Sequence, residues 1–583
     1  MIIVSMMNYD NKEWFMWLFG GLGTSIAMAL LGCFIRLFWK KQHQKEQPKK
    51  ISNNGKENTG IALNETSLNN SPFGNTYITN NIYGNAYFGF DNKNGDTKSI
   101  KGVGSGMMYG EVDSNIKNEQ TISSEAVGLC LQKAEQGDSE SQFCLGGCYW
   151  TGIGLEKNSV KAVEWWSRAA EQNHSIAQYN IGCCYIYGTG IEQNSQKAFE
   201  WFDRSAQSGF APAQHSLGMC YKLGEGVTAD SHMAFELFRE SSQQGYAMAQ
   251  TALGMCYSFG DGVEKNDAEA IEWFLKSADQ GDADGQSLLG FCYYHGIGVV
   301  KNGNKAFEWT KKAAEQGNPL AQYHMGASYR EGIGVPQDSE KAFEWYLKSA
   351  EQGLDVAQYT VGVCYYEGEG VEKNLFSGFA WVKKAAGQGH AEAEYNTGVN
   401  YHNGNGVEQN VDEGHKWIIK SAEHGFVLAQ LLLADLFFHG IEVDKNKAIG
   451  IDWYRKAAEQ GHMRAQNNLG EIYYNGDGVT RDVTEAVKWY KKSAEQGFDL
   501  AQFSLGDCYD NGDGVATDAI EVARWYLAAA KQGHIEAQYR IACCYEEGHG
   551  VEKDMTQAIE WYRKAAEQGY PQAVEDLSRL EPK

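Results

Sequence analysis

From Gly137 to the C-terminus, apolar and polar positions recur with one fixed spacing. The tag Ala-Glu-Gln-Gly, or a close variant, ends at Gly137, Asn173, Gly209, Gly245, Gly281, Gly317, Gly353, Gly389, Gly425, Gly461, Gly497, Gly533 and Gly569, always 36 residues apart. Twelve units without an insertion follow, and a fixed period of this size predicts a solenoid. Within a unit, Gln142, Leu145, Gly146 and Tyr149 and their relatives are spaced i, i+3, i+4, i+7, one face of a helix. We call this helix A. Its small residue, Gly in ten units and Ala434 or Ala542 in the others, predicts close approach of a second helix, helix B. There the tryptophan of Trp165, Trp201, Trp273, Trp309, Trp345 and their relatives holds one column, broken only by Leu237. Such an indole is expected to pack between neighbouring units.

The tag residue marks where helix B stops. A helix often ends on a residue in the left-handed conformation, which Gly adopts best and Asn second. Asn173, the one departure among thirteen tags, is the substitution this mechanism permits. Residues 122–136 fall in the helix B register one period early, and 571–580 read as a trailing helix A with a polar end. These are the caps that a one-dimensional stack requires. The fold expected is therefore an all-α solenoid of twelve helix-turn-helix repeats over 121–583.

The chain before residue 121 has a different pattern. Residues 1–13 form a short tail, and 14–38 an apolar span expected to be a transmembrane helix. Its first 22 residues carry no charge, enough at 1.5 Å per residue to cross a hydrocarbon core of ~30 Å. Trp14, Trp17 and Trp39 stand where interfacial aromatics belong. Arg36, Lys40, Lys41, Lys45, Lys49 and Lys50 follow the span, which predicts a cytoplasmic repeat domain. The alternative places the repeats outside, as an envelope protein binding a cell-wall or secreted ligand. Leu30-Leu31-Gly32-Cys33 loosely matches a lipoprotein cleavage box, but no basic segment precedes the span. Residues 39–120 are a polar, Asn-rich linker; around 75–90, β-formers mix with Asn and Gly, so a short hairpin and a disordered tether are both open.

Charge narrows the partners. Residues 1–125 carry 12 Lys or Arg against 11 Asp or Glu, and the remainder 39 against 64. An acidic array excludes nucleic acid as a main ligand and suits a basic protein or peptide. Eight cysteines share one column (Cys148, Cys184, Cys220, Cys256, Cys292, Cys364, Cys508 and Cys544). Stacked units hold equivalent residues ~8–10 Å apart or more, too far for a disulfide, so these read as small buried residues in a reducing compartment. No metal site, cofactor or catalytic constellation is expected. The Gly-x-Gly turns, such as Gly260-Asp261-Gly262, lack the strand and the Gly-Lys-Ser/Thr of a phosphate loop.

The combined pattern, Ala-x-x-Gln-Tyr-x-x-Gly-x-x-Tyr-x-x-Gly-x-Gly-Val and then Ala-x-x-Trp-Tyr-x-Lys-Ala-Ala-Glu-Gln-Gly, resembles the Sel1-like repeat, a relative of the tetratricopeptide repeat. Residues 429–461 and 537–569 carry it with few departures. The resemblance implies a right-handed superhelix of antiparallel helix pairs, scaffold or adaptor work and no chemistry. Departures are Glu442 for the second turn glycine, and Gly378, Gly414 and Gly450 for the helix B alanine, where looser packing is expected in repeats seven to nine.

Positions that vary between units are free for recognition if stacking does not use them. On helix A they fall at 143/144, 147 and 150/151 and their relatives. In related solenoids helix A lines the concave side, so this stripe is expected to face a groove. The candidate partner-binding residues are Trp150, Tyr294, Arg330, Tyr366, His402, Phe438, Tyr474, Asp507 and Asp510, aromatic in the middle and acidic toward the end.

Overall fold

A computed structural model describes residues 124–580. The anchor, the linker and the possible hairpin near 75–90 lie outside the described residues. Among those residues, a leading helix (Ser124–Glu135) precedes twelve pairs of 13-residue helices, from Ser139–Thr151 with Ser159–Glu171 to Ile535–Glu547 with Met555–Glu567. A trailing helix (Pro571–Leu580) closes the array. The residues divide into two compact units. One runs to Gln358 and includes 369–371; the other holds 359–368 and everything from Glu372. Among the described residues, no helix is long and apolar enough to cross a membrane.

The junctions follow the expected chemistry. The twelve tag glycines have φ between 81° and 97°, and Asn173 sits at 65°. Each helix B begins on an Asn or Asp side chain that accepts from a first-turn amide, as Asn158 does from Lys161 and Asp518 from Ile520 and Glu521. Helix A is capped by the residue after the tag wherever that side chain can accept; Phe210, Tyr246, Phe426 and Phe498 make no such bond. Asp138 serves there, and so does the Nδ1 of His174, His390, His462 and His534, which accepts from the amide three residues on.

Packing departs from the sequence reading in two places. The tryptophan column is not the deepest. Trp345 does pack against the preceding repeat at Ala313 and Ala314, and against its own helix A at Ala321 and Met325. Most of these indoles are nevertheless half-buried, and from Trp273 onward all but Trp525 have a lysine three residues later lying 3.7 to 4.3 Å above the ring. The core column is the next residue along. Trp166, Phe202, Phe238, Phe274, Tyr346, Tyr454, Tyr526 and Tyr562 supply eight of the largest fully buried side chains. Six of them lie over the helix A glycine; Tyr454 and Tyr562 belong to the repeats that carry Ala434 and Ala542 there. A methyl on Gly146 would stand 2.4 Å from Trp166 Cδ1, and one on Gly506 2.7 Å from Tyr526. The pattern missed this column because its residue type changes, from aromatic rings to Thr310, Val382 and Ile418, while its place does not.

The second departure concerns Gly378, Gly414 and Gly450. The expected looseness is absent. A methyl at these positions would come within 3.0 Å of Tyr366, 2.9 Å of the Gly398 carbonyl and 2.7 Å of the Phe438 backbone. Glycine here lets helix B close on helix A against Tyr366, His402 and Phe438, the large residues of the variable stripe.

A ladder of glutamine amides threads each unit. Gln142 Nε2 donates to the Ala134 carbonyl at the end of the preceding helix (3.0 Å), and its Oε1 accepts from Gln172 at the end of the next (2.8 Å). The same double bond recurs, for example, at Gln286, Gln322, Gln430, Gln466, Gln502 and Gln538. One buried amide thus ties three helices and leaves no polar atom of its own unsatisfied.

Candidate partner-binding surface

The variable helix A positions are largely structural. At position 143 and its relatives, Phe143, Tyr179, His215, Tyr323 and Leu431 are buried. Variation between units therefore does not release a position from stacking; neighbours change with it.

The 150 column reaches forward into the following repeat. Tyr294 donates its hydroxyl to Glu331, Tyr366 accepts from Asn400 Nδ2 (2.8 Å), His402 Nε2 meets Glu442 (2.9 Å), and Tyr474 donates to Asp513 (2.7 Å). Trp150 stacks at a tilt 5.3 Å from Trp166, and Phe438 sits buried edge-on to Tyr454. Burial alone would lower the Arg330 pKa, but Tyr346 and Glu369 face its guanidinium and raise it. Tyr294, Tyr366, His402 and Tyr474 thus form a seam between repeats and stay partly exposed, whereas Trp150 and Phe438 pack within their own repeats.

Toward the C-terminus the stripe becomes acidic, as expected, but much of the acid is already answered within the chain. Asp435 accepts from Tyr454 and from Arg464 (3.1 Å). Asp507, half-buried, accepts from Tyr526 (2.5 Å). Burial raises its pKa, and the Tyr526 bond and nearby Arg540 counter this only in part. Glu546 accepts from Tyr562 (2.8 Å) and twice from Arg579 (2.8 and 3.0 Å). Burial pulls the Glu546 pKa up, yet Arg579 and Tyr562 bring it below the usual carboxylate range. Glu471 and Asp510 are exposed; Asn467 donates to Glu471 (3.0 Å), and His549 approaches Asp510 at 3.7 Å. Of the twelve cysteines among the described residues, all but Cys543 are buried. Burial holds thiols such as Cys144 and Cys184 at about 12, far from thiolate chemistry.

A family model for the Sel1 repeat matches twelve segments lying between residues 139 and 570. The chain belongs to the Sel1 repeat family. It is 32% identical to a solved protein described as a protective antigen present in uropathogenic Escherichia coli strains displaying an SLR fold, over 78% of this chain and 98% of that one (TM-score 0.49). It is also 32% identical to a Sel1 repeat protein from Oxalobacter formigenes, over 53% of this chain and 90% of that one (TM-score 0.41). No curated protein matches the chain. Sel1 arrays are generally protein-interaction scaffolds and typically non-catalytic.

Within this Sel1 array the eighth repeat departs most. Its ladder residue is Glu394 where the other eleven have Gln, and its tag carries His424 where ten have Gln. The two departures meet: His424 Nδ1 and the buried Glu394 carboxylate are 2.6 Å apart. Sequence reading passed over this pair, although comparing the twelve Sel1 repeats column by column exposes it.

Proposed function

We propose that this Sel1 repeat protein is a membrane-tethered adaptor. Residues 14–38 anchor it, residues 39–120 act as a tether, and the repeats work in the cytoplasm, holding a protein or peptide partner along the helix A stripe. The observation that carries this reading is the run of twelve Sel1 repeats matched between residues 139 and 570, which gives each compact unit more surface than a single small-ligand site needs. The partner's chemistry follows from what stays open on the stripe. Ring edges of Tyr294, Tyr366 and Tyr474 suit apolar side chains. Exposed Glu471 and Asp510, beside half-buried Asp507, suit Lys or Arg. The excess of acidic residues after residue 125 favours a basic partner and speeds its encounter.

Two experiments test the proposal. Crosslinking from the stripe followed by capture should lose its partners when Tyr366 and Tyr474 become Ala and Asp510 becomes Asn, with helicity unchanged. Unaltered capture refutes the groove. A reporter fused after Lys583 should be active only when cytoplasmic. Activity on the other face of the membrane refutes the topology and leaves the outward-facing envelope reading.

A further inference from the structure

The twelve repeats are internal controls for one another, and two columns are broken at a single place. The helix B column that holds Val, Ile, Phe or Ala in eleven repeats holds His415 in the eighth. The second turn glycine, present in eleven repeats, is Glu442 in the ninth. A side chain is unwelcome there twice over. The backbone of Glu442 has φ 61°. One repeat earlier, a methyl on the equivalent Gly406 would lie 2.1 Å from the Leu375 carbonyl. Despite this cost, the two substitutions meet on one atom. Glu442 Oε2 lies 2.9 Å from His402 Nε2 and 3.5 Å from His415 Nε2. His415 Nε2 is buried and makes no hydrogen bond. The two imidazole side chains are 15% exposed, whereas Glu442 at 40% opens the cluster to solvent.

We propose that His402, His415 and Glu442 form a site for a divalent transition metal, zinc in the first instance, that staples the eighth repeat to the ninth. Two neutral imidazole nitrogens and a carboxylate are a borderline N/O donor set of the kind zinc takes. Zinc bonds of about 2.0–2.1 Å in tetrahedral geometry hold adjacent ligand atoms roughly 3.3 Å apart. The carboxylate-to-imidazole separations of 2.9 and 3.5 Å bracket that spacing. Among the described residues, no three ligating groups are already gathered tightly enough to hold a metal, and these two imidazole rings are 6.4 Å apart between centroids. The site therefore closes by rotation of side chains, and Glu442, on an exposed turn, has the room to move. Three protein ligands leave the fourth position to water. A metal here accounts for why a glycine turn and an apolar core position were given up together.

The test is a zinc titration of the full chain against a chromophoric chelator, beside His402→Ala, His415→Phe and Glu442→Gly. The last two restore residue types that other repeats carry in those columns, so the fold should survive them. The wild-type chain should take up one zinc more than each variant, and zinc should raise the melting temperature of wild type but not of Glu442→Gly. Glu394→Gln, in the neighbouring pair, should keep the extra zinc. Equal stoichiometry in wild type, His415→Phe and Glu442→Gly overturns the proposal and leaves a hydrogen-bonded clasp. So does an extra zinc that persists in either restoring variant.

Discussion

In the first four repeats, the helix B core column holds Trp166, Phe202, Phe238 or Phe274; in the last four it holds Tyr454, Tyr490, Tyr526 or Tyr562. The helix A position opposite changes in step. Early in the array it is Gly147, Cys183, Met219 or Met255, and late it is Asp435, Glu471, Asp507 or Cys543. In the twelfth repeat the tyrosine finds Glu546 as well as Cys543. Both regions fill the same volume, so the geometry of a repeat tolerates either solution. What differs is the face produced. Apolar pairs leave a neutral stripe, and tyrosine–carboxylate pairs hold acids at the surface without an unpaired buried group. The acidity of the late repeats is thus built into their core.

The largest effect should come from emptying the shared volume. Phe202→Ala removes a fully buried ring and should cost about 3–5 kcal/mol, read as a lowered denaturation midpoint of the N-terminal unit. A cost below about 1 kcal/mol would mean that this column is not the core.

Two caps, one from each region, respond differently to pH. His462 caps the tenth repeat's helix A as a neutral imidazole, and burial, with Arg464 nearby, lowers its pKa from 6.5 to about 4. The unfolded chain therefore takes the proton first. The stabilisation is complete above pH 6.5 and disappears as the pH falls toward 4, a loss of order 3 kcal/mol. His462→Asn should flatten that slope. Asp138, capping the first repeat, behaves differently: its bonds to Ser141 lower its pKa below 3.8, so its contribution persists through the same window.

A reciprocal exchange sharpens the core comparison. Tyr526→Phe strips Asp507 of its hydroxyl donor, while Phe238→Tyr places a hydroxyl opposite Met219 with no carboxylate to receive it. Each should cost about 1–3 kcal/mol in urea denaturation. If Phe238→Tyr is neutral, the pairing of tyrosine with acid is incidental. The smallest effect is expected where both regions agree. Gln496→Ala breaks a ladder bond to Gln466 (2.7 Å) and should cost about 1 kcal/mol, as should Gln280→Ala near the other end.

Most of the fold was legible because its rules are local. A left-handed tag, an i, i+3, i+4, i+7 face and a fixed period each follow from residues close in sequence, and the trailing helix falls at 571–580 as read. The site was legible only in part. The stripe residues were picked as variable, yet several of their partners lie in the next repeat, 34 residues away for Tyr366 with Asn400 and 40 for His402 with Glu442. Periodicity shows that a column varies but not which other column varies with it. The same blindness made Gly378, Gly414 and Gly450 look like gaps, when each makes room for a large neighbour.

The positive-φ residue that closes every helix B has a bearing on ancestry. Because all twelve joints share one backbone conformation, an unequal crossover that drops or duplicates 36 residues rejoins ends that already match. Array length can then drift by whole modules without a new linker having to be invented, and the reach of the protein becomes a trait that recombination adjusts in single steps.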